Sequence, residues 1–181
     1  MNLTYTLTFQ DFLNFQLFNA SESPRVRKKR ARNRWSVAFL FLVMAIVYLL
    51  INTQYLMSMV CLLLSILWYW LYPLRDASMY RKHYLNHIRD VRADQLGAFA
   101  TVEITTDQIK MHSNSINTEI ATSEVQDVVE IPENMLIRLN GGMAVIIPKG
   151  QVNLEETREF LKRFASELQV PYRALLDWKW K

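Results

Sequence analysis

The chain holds little of what usually builds a reactive centre. Its 181 residues include one cysteine, Cys61, so no disulfide can close within a single chain, which fits a reducing compartment. Four glycines leave no Gly-rich loop of the kind that cradles phosphate. Charge is missing from two stretches, 35–51 and 55–74. Cys61 falls inside the second, away from water, and is a poor nucleophile there. Acids are scarce in the first half: residues 1–92 carry twelve Lys or Arg against four Asp or Glu, and residues 93–181 carry nine against thirteen. That asymmetry points to contact with an anionic surface. Residues 1–20 show neither a basic leader nor a continuous apolar run, so no cleaved signal peptide is expected.

The uncharged stretches define the first architectural feature. Trp35 to Ile51 is apolar apart from Ser36 and would rise roughly 26 Å as a helix, the short end of a membrane span. Tyr55 to Leu74 is a second span. Only Asn52, Thr53 and Gln54 separate the two, so the sequence predicts an antiparallel helical hairpin. Small residues mark its seam: folding about 51–52 sets Ala38 opposite Ser65 and Ala45 opposite Ser58. Neither span carries an ionisable carboxylate, Lys, Arg or His, which argues against a transporter or pump.

Basic residues flank the hairpin on one side. Arg25, Arg27, Lys28, Lys29, Arg30, Arg32 and Arg34 precede the first span; Arg75, Arg81, Lys82, Arg89 and Arg92 follow the second; the loop is uncharged. The positive-inside rule then sets both termini in the cytoplasm, in a multi-pass protein of the inner (plasma) membrane. Trp35 opens the first span, and Trp68, Tyr69, Trp70 and Tyr72 close the second at the same interface. Trp178 and Trp180, beside Lys179 and Lys181, suit the interfacial layer, although a tail packed on its own sheet would read the same way. Arg25, Arg27, Lys28, Lys29, Arg30, Arg32, Arg34, Arg81 and Lys82 are the candidate contacts to anionic headgroups, at about 1 kcal/mol each near the surface. Nucleic acid is not an expected partner, because the adjoining soluble region is acidic.

Residues 2–8 alternate as a half-buried strand, with Leu3, Tyr5 and Leu7 on one side. Thr8 and Asp11 resemble a helix-start box, and Phe9, Phe12, Leu13 and Leu17 recur at helical spacing. Ser23-Pro24 restarts a helix that should run unbroken into the first span. After Pro73, residues 76–95 read as a separate helix striped by Tyr80, Tyr84, Ile88 and Val91. Strands are expected near 98–105, 109–114, 116–121, 125–131, 135–139 and 143–147. Turn signals lie at Thr106-Asp107, Pro132-Glu133-Asn134 and Asn140-Gly141-Gly142. Asn153 then caps a helix to about Gln169, with Phe160, Leu161, Phe164 and Leu168 facing inward.

The divisions are 1–22, a strand and amphipathic helix; 23–34, a basic juxtamembrane helix; 35–51 and 55–74, the spans; 75–96, a basic linker helix; and 97–181, a cytoplasmic domain. Strands followed by one helix indicate an α+β domain. The lone strand at 2–8 cannot stand alone and should join that sheet, so the soluble domain draws on both chain ends. The stretch "YTLTFQDFLNFQLFNASESPRVRKKR", the two-span hairpin, and "MLIRLNGGMAVIIPKGQV" before a final helix resemble the YcxB-like bacterial membrane proteins. The resemblance implies a pleckstrin-homology-like β-barrel or sheet, capped by the C-terminal helix, and implies no reaction.

The remaining chemistry reads as structural. His83 and His87 are four apart, but "HYLNH" lacks the zincin pattern, and with Asp90 they read as a polar helix face rather than a metal site. His112 stands alone on a strand. Glu103, Asp107, Glu119, Glu124, Asp127, Glu130 and Glu133 read as a solvated face rather than an acid–base pair. The expectation is a non-enzymatic membrane protein without cofactor. It would present its soluble domain to a protein partner or to its own copies; the alternative is a module that senses anionic lipid.

Overall fold

The computed structural model describes residues 1–50, 55–91, 97, 99–113 and 116–180. The Asn52–Gln54 loop, Arg92, the expected helix end at 92–95, the strand ends at 98 and 114, and Lys181 lie outside the described residues. In order, the elements are β1 (Asn2–Thr6), α1 (Phe9–Glu22), α2 (Pro24–Leu50), α3 (Tyr55–Val91), β2 (Phe99–Ile104), β3 (Gln108–Ser113), β4 (Ile116–Ala121), β5 (Val125–Glu130), β6 (Asn134–Leu139), β7 (Ala144–Pro148), α4 (Leu154–Glu167) and β8 (Tyr172–Ala174). Two compact units result. One joins Met1–Leu17 to Tyr84–Lys179; the other holds Phe18–His83 with Trp180.

The first unit is α+β and contains two four-stranded sheets. One runs β1-β2-β3-β4, all antiparallel, so the strand expected to need a partner finds one in β2, with Leu3 opposite Val102 and Tyr5 opposite Ala100. The other runs β7-β6-β5-β8, with β8 parallel to β5. Among the described residues the ladders do not join into a closed barrel. A short 3₁₀ turn at Thr122–Glu124 carries the chain from β4 to β5 and from one ladder to the other.

The burial patterns differ for a physical reason. The first sheet alternates: Val102 and Ile104 are buried, while Thr101 and Glu103 are partly exposed. In the second sheet, Val128 and Val129 on β5, and Met135, Leu136 and Ile137 on β6, are all buried. Both faces of those strands are covered, which calls for a continuous apolar run instead of an alternating one. Helix α4 packs against β5 and β8, burying Thr157, Leu161, Phe164 and Ala165.

Helix α1 starts as its sequence predicts. The Thr8 N–H donates to Asp11 Oδ2 at 2.8 Å, and the Asp11 N–H reaches Thr8 Oγ1 at 3.3 Å, a reciprocal capping box. Asp11 has a second task. Its Oδ1 accepts from Asn134 Nδ2 at 2.6 Å, which ties the helix start to the start of β6. Both residues are buried, so the pair satisfies polar groups that water does not reach.

Two expectations are corrected. Pro73 does not divide two helices, because α3 runs continuously from Tyr55 to Val91 with Pro73 inside it. Asp127 and Glu130 do not belong to a solvated face: both are buried, each paired with cations. The C-terminal stretch begins as β8 on the sheet, and just after it the Leu175 N–H donates to the Glu130 carbonyl at 2.7 Å.

Candidate membrane-surface site

In the second unit, α2 and α3 meet along the small residues of the sequence seam. Ser58 Oγ donates to the Ala45 carbonyl at 2.9 Å, and Ser65 Oγ donates to the Ala38 carbonyl at 2.8 Å. Ala38, Ala45, Ser58 and Cys61 are buried. The neighbouring large residues, including Phe39, Leu40, Leu63 and Ile66, are exposed. Two helices that bury small residues and expose large apolar ones are built for an apolar surround. Both are long and apolar enough to cross a membrane.

Pro73 explains the arrangement at the basic end. A proline has no N–H, so it leaves unpaired the carbonyl four residues earlier, that of Tyr69. Arg34 supplies the missing donor: its Nε donates to the Tyr69 carbonyl at 3.2 Å, and its guanidinium lies 3.7 Å from the centre of the Tyr69 ring. Trp35 packs on the same ring at 5.2 Å. A chain kink is avoided or tolerated in such helices where a side chain re-satisfies the freed carbonyl.

One turn further, Asp76 is only 2% exposed and pairs with the Arg30 guanidinium. The Tyr72 hydroxyl donates to the other Asp76 oxygen at 3.1 Å. The Trp180 ring covers the Arg30 guanidinium at 4.7 Å, and its Nε1–H donates to the Ala77 carbonyl at 3.0 Å. Tyr80 stands 5.8 Å from the Trp180 ring. Beside this pair lies a cleft of about 280 Å³ whose lining includes Lys29, Arg30, Asn33, Asp76, Tyr80 and His83.

The structure therefore separates the predicted headgroup residues into two groups. Arg25, Arg27, Lys28, Lys29 and Arg32 are exposed along α2, and Arg81 and Lys82 are exposed on α3. Arg30 and Arg34 are half-buried and engage groups of the hairpin itself. Of the predicted anchors, Trp35 and Trp70 are exposed, while Trp68, Trp178 and Trp180 are half-buried. Arg75 stands 5.7 Å from the Trp68 ring. His83 and His87 are exposed, and no group of three metal-ligating side chains occurs among the described residues. His112 meets the Asn117 side chain at 3.1 Å.

Sequence reading missed Asp76. Its signal was available: continuing the Ala38–Ser65 and Ala45–Ser58 pairing down to Arg30 lands within one turn of Asp76. Asp127 and Glu130 carried a signal too, since they flank the apolar Val128-Val129 pair in "VQDVVE", a strand buried throughout from Asp127 to Glu130. Glu130 receives Lys149 Nζ at 2.7 Å, Arg158 Nη2 at 2.8 Å and the Tyr172 hydroxyl at 2.6 Å. Asp127 holds Arg138, with the Nε contact at 2.6 Å, and lies 3.7 Å from Arg173 Nε. These clusters staple β5 to β6, β8, α4 and the 3₁₀ turn after β7.

The fold thus defines an α+β protein with two long apolar helices and a sheet-rich C-terminal region. The C-terminal region is similar to one known family: the pattern of YcxB-like proteins matches residues 104–164, about a third of the chain, from the end of β2 into α4. No curated protein and no solved structure matches the chain.

Proposed function

We propose that this chain is a multi-pass protein of the bacterial inner membrane with both termini in the cytoplasm. It presents its sheet-rich unit, a variant of the pleckstrin-homology-like fold, for interaction with another protein or with its own copies. The observation that carries the interaction role is the open edge of the first sheet. Among the described residues strand β4 ends that ladder, and its Asn117, Thr118, Glu119 and Ala121 are exposed. The role is non-enzymatic. Glu130, the buried carboxylate best placed for acid–base work, is held ionised by three partners, which suits a staple and not a proton donor.

A second reading is a lipid sensor, favoured by the cleft at Lys29 and Arg30. Crosslinking in the native membrane separates the two, with the captured species identified by mass. The interaction reading expects one reproducible protein, or the chain itself, and expects capture to survive Arg27→Ala, Lys28→Ala and Lys29→Ala together. Capture of lipid alone, with headgroup-selective binding that those changes abolish, would establish the sensor reading in its place.

A further inference from the structure

Resting on the interaction reading, the geometry points to its partner class: an extended peptide that adds to β4 and carries a Lys or Arg between two apolar residues. Three features of the first sheet converge on this. The first is the β4 edge, which pairs with no further strand among the described residues. An edge strand offers a row of unpaired backbone donors and acceptors, and extended peptides dock on such edges by adding a strand.

The second is a row of alternating charge. Glu103 on β2 lies opposite Lys110 on β3, and Lys110 lies opposite Glu119 on β4. Lys110 Nζ is 3.5 Å from Glu119 Oε1, and Glu119 remains 65% exposed. Opposite charges across neighbouring strands stabilise a sheet, and like charges directly opposite destabilise it. The next member of this row is therefore a cation. A second copy of β4 does not fit, because its outward positions, Asn117, Glu119 and Ala121, offer no basic residue.

The third is a cavity on the opposite face. Side chains alternate along a strand, so Met111, Thr118 and Ile120 point to the face opposite Lys110 and Glu119. Cover on that inner face falls away toward the edge: Val102 on β2 is fully buried, Met111 on β3 is half-buried and Thr118 on β4 is exposed. A cavity of about 310 Å³ lies there. Phe12, Phe15, Leu139 and Ile146 form its buried part, and Thr118 and Met143 its exposed rim. Gly141 and Gly142, next to Met143, both have positive φ, at 90° and 84°, so the hairpin tip carrying that rim depends on glycine. Among the described residues no Asp, Glu, Lys or Arg lines the cavity, and its polar side chains are Gln16, His112, Ser113 and Thr118. In an added strand, the residue beside Glu119 points outward, and its two neighbours, beside Thr118 and Ile120, point over the cavity. That alternation gives the apolar–basic–apolar order, with Met111 and Met143 able to adapt to the side chains that enter.

The test uses the full chain in lipid nanodiscs and two labelled, blocked synthetic peptides in which threonine alternates with apolar residues. One has a central lysine, the other a central glutamate. Fluorescence polarisation should show saturable binding of the lysine peptide and at least about tenfold weaker binding of its twin. Glu119→Lys should reverse that preference. Thr118→Trp, which fills the mouth, should weaken the lysine peptide by about tenfold or more while the unfolding midpoint stays in place. Equal binding of both peptides, no binding of either, or a preference that Glu119→Lys leaves unchanged overturns the inference. So does a copurified acyl chain that fills the cavity and whose removal creates no peptide binding. Membrane crosslinking keeps the two levels distinct. A protein captured equally by the wild type and Glu119→Lys defeats the β4 edge and leaves the interaction reading standing, whereas no captured protein in either defeats that reading itself.

Discussion

Glu130 illustrates how a charged side chain can occupy a covered strand. Burial alone would raise its carboxyl, but hydrogen bonds from Arg158, Lys149 and Tyr172 outweigh that effect and hold it down at about 2. The same contact pushes the Arg158 guanidinium up, and the Tyr172 hydroxyl is pushed up by burial and then by its bond to Glu130. A carboxylate whose folded pKa lies below its ordinary value of 4.5 stabilises the fold above that value. The contribution, about 3 kcal/mol, is lost progressively as pH falls from 4.5 toward 2. Denaturant unfolding at neutral pH and at steps below pH 4.5 should show that loss in the wild type. Glu130→Gln should start less stable and show a flatter slope across the same window. An unchanged slope would mean that the three contacts do not act on the carboxylate as a unit. Asp76 on α3 is a second buried carboxylate, and there Arg30 and the Tyr72 hydroxyl replace the water it has lost.

At the scale of elements, the hairpin seam rests on size as much as on hydrogen bonding. Ala45 is 2% exposed against α3, so a longer side chain has no room there. Ala45→Leu should force the helices apart and cost about 1–3 kcal/mol. Ser58→Ala removes one hydrogen bond but preserves the close approach, and should cost only about 0.6 kcal/mol. Thermal unfolding in detergent compares the two, and a larger loss for Ser58→Ala would make the hydroxyl, not the fit, the organiser of the seam. This seam was legible because both helices are regular and the connecting loop is short, which fixes the pairing. The continuity of α3 was not legible in the same way. Proline usually ends a helix, and its toleration here goes with Arg34, which stands on another helix, thirty-five residues before Tyr69, and donates to the freed Tyr69 carbonyl. The strands of the first sheet were visible through their period of two. Strand β8 was not, because a three-residue parallel strand has no period.

For the molecule as a whole, the sheet-rich unit is not the C-terminal half of the chain. It takes Met1–Leu17 from the other end, across the whole α2–α3 hairpin in sequence. Those residues supply more than an added strand. Leu3, Tyr5, Leu7, Phe12, Leu13, Phe15 and Leu17 are all buried, and Asp11 meets Asn134 at the start of β6. Burying one large apolar side chain is worth about 1.5–3 kcal/mol, so losing seven, even after allowance for a compact unfolded state, removes an amount comparable to the whole stability of a typical domain, about 5–15 kcal/mol. A fragment of residues 97–181 should therefore not reach a unique fold, although it contains the entire family-matched region, 104–164. Its amide spectrum should be poorly dispersed and its unfolding non-cooperative. Joining residues 1–17 to the front of that fragment through a flexible linker should restore dispersion and a single cooperative transition, with no membrane helix present. Cooperative folding of 97–181 alone would show that β1 and α1 merely cover a self-sufficient domain. Restoration by the added segment would establish that the two ends of the chain make one core, and that the hairpin is an insertion into it.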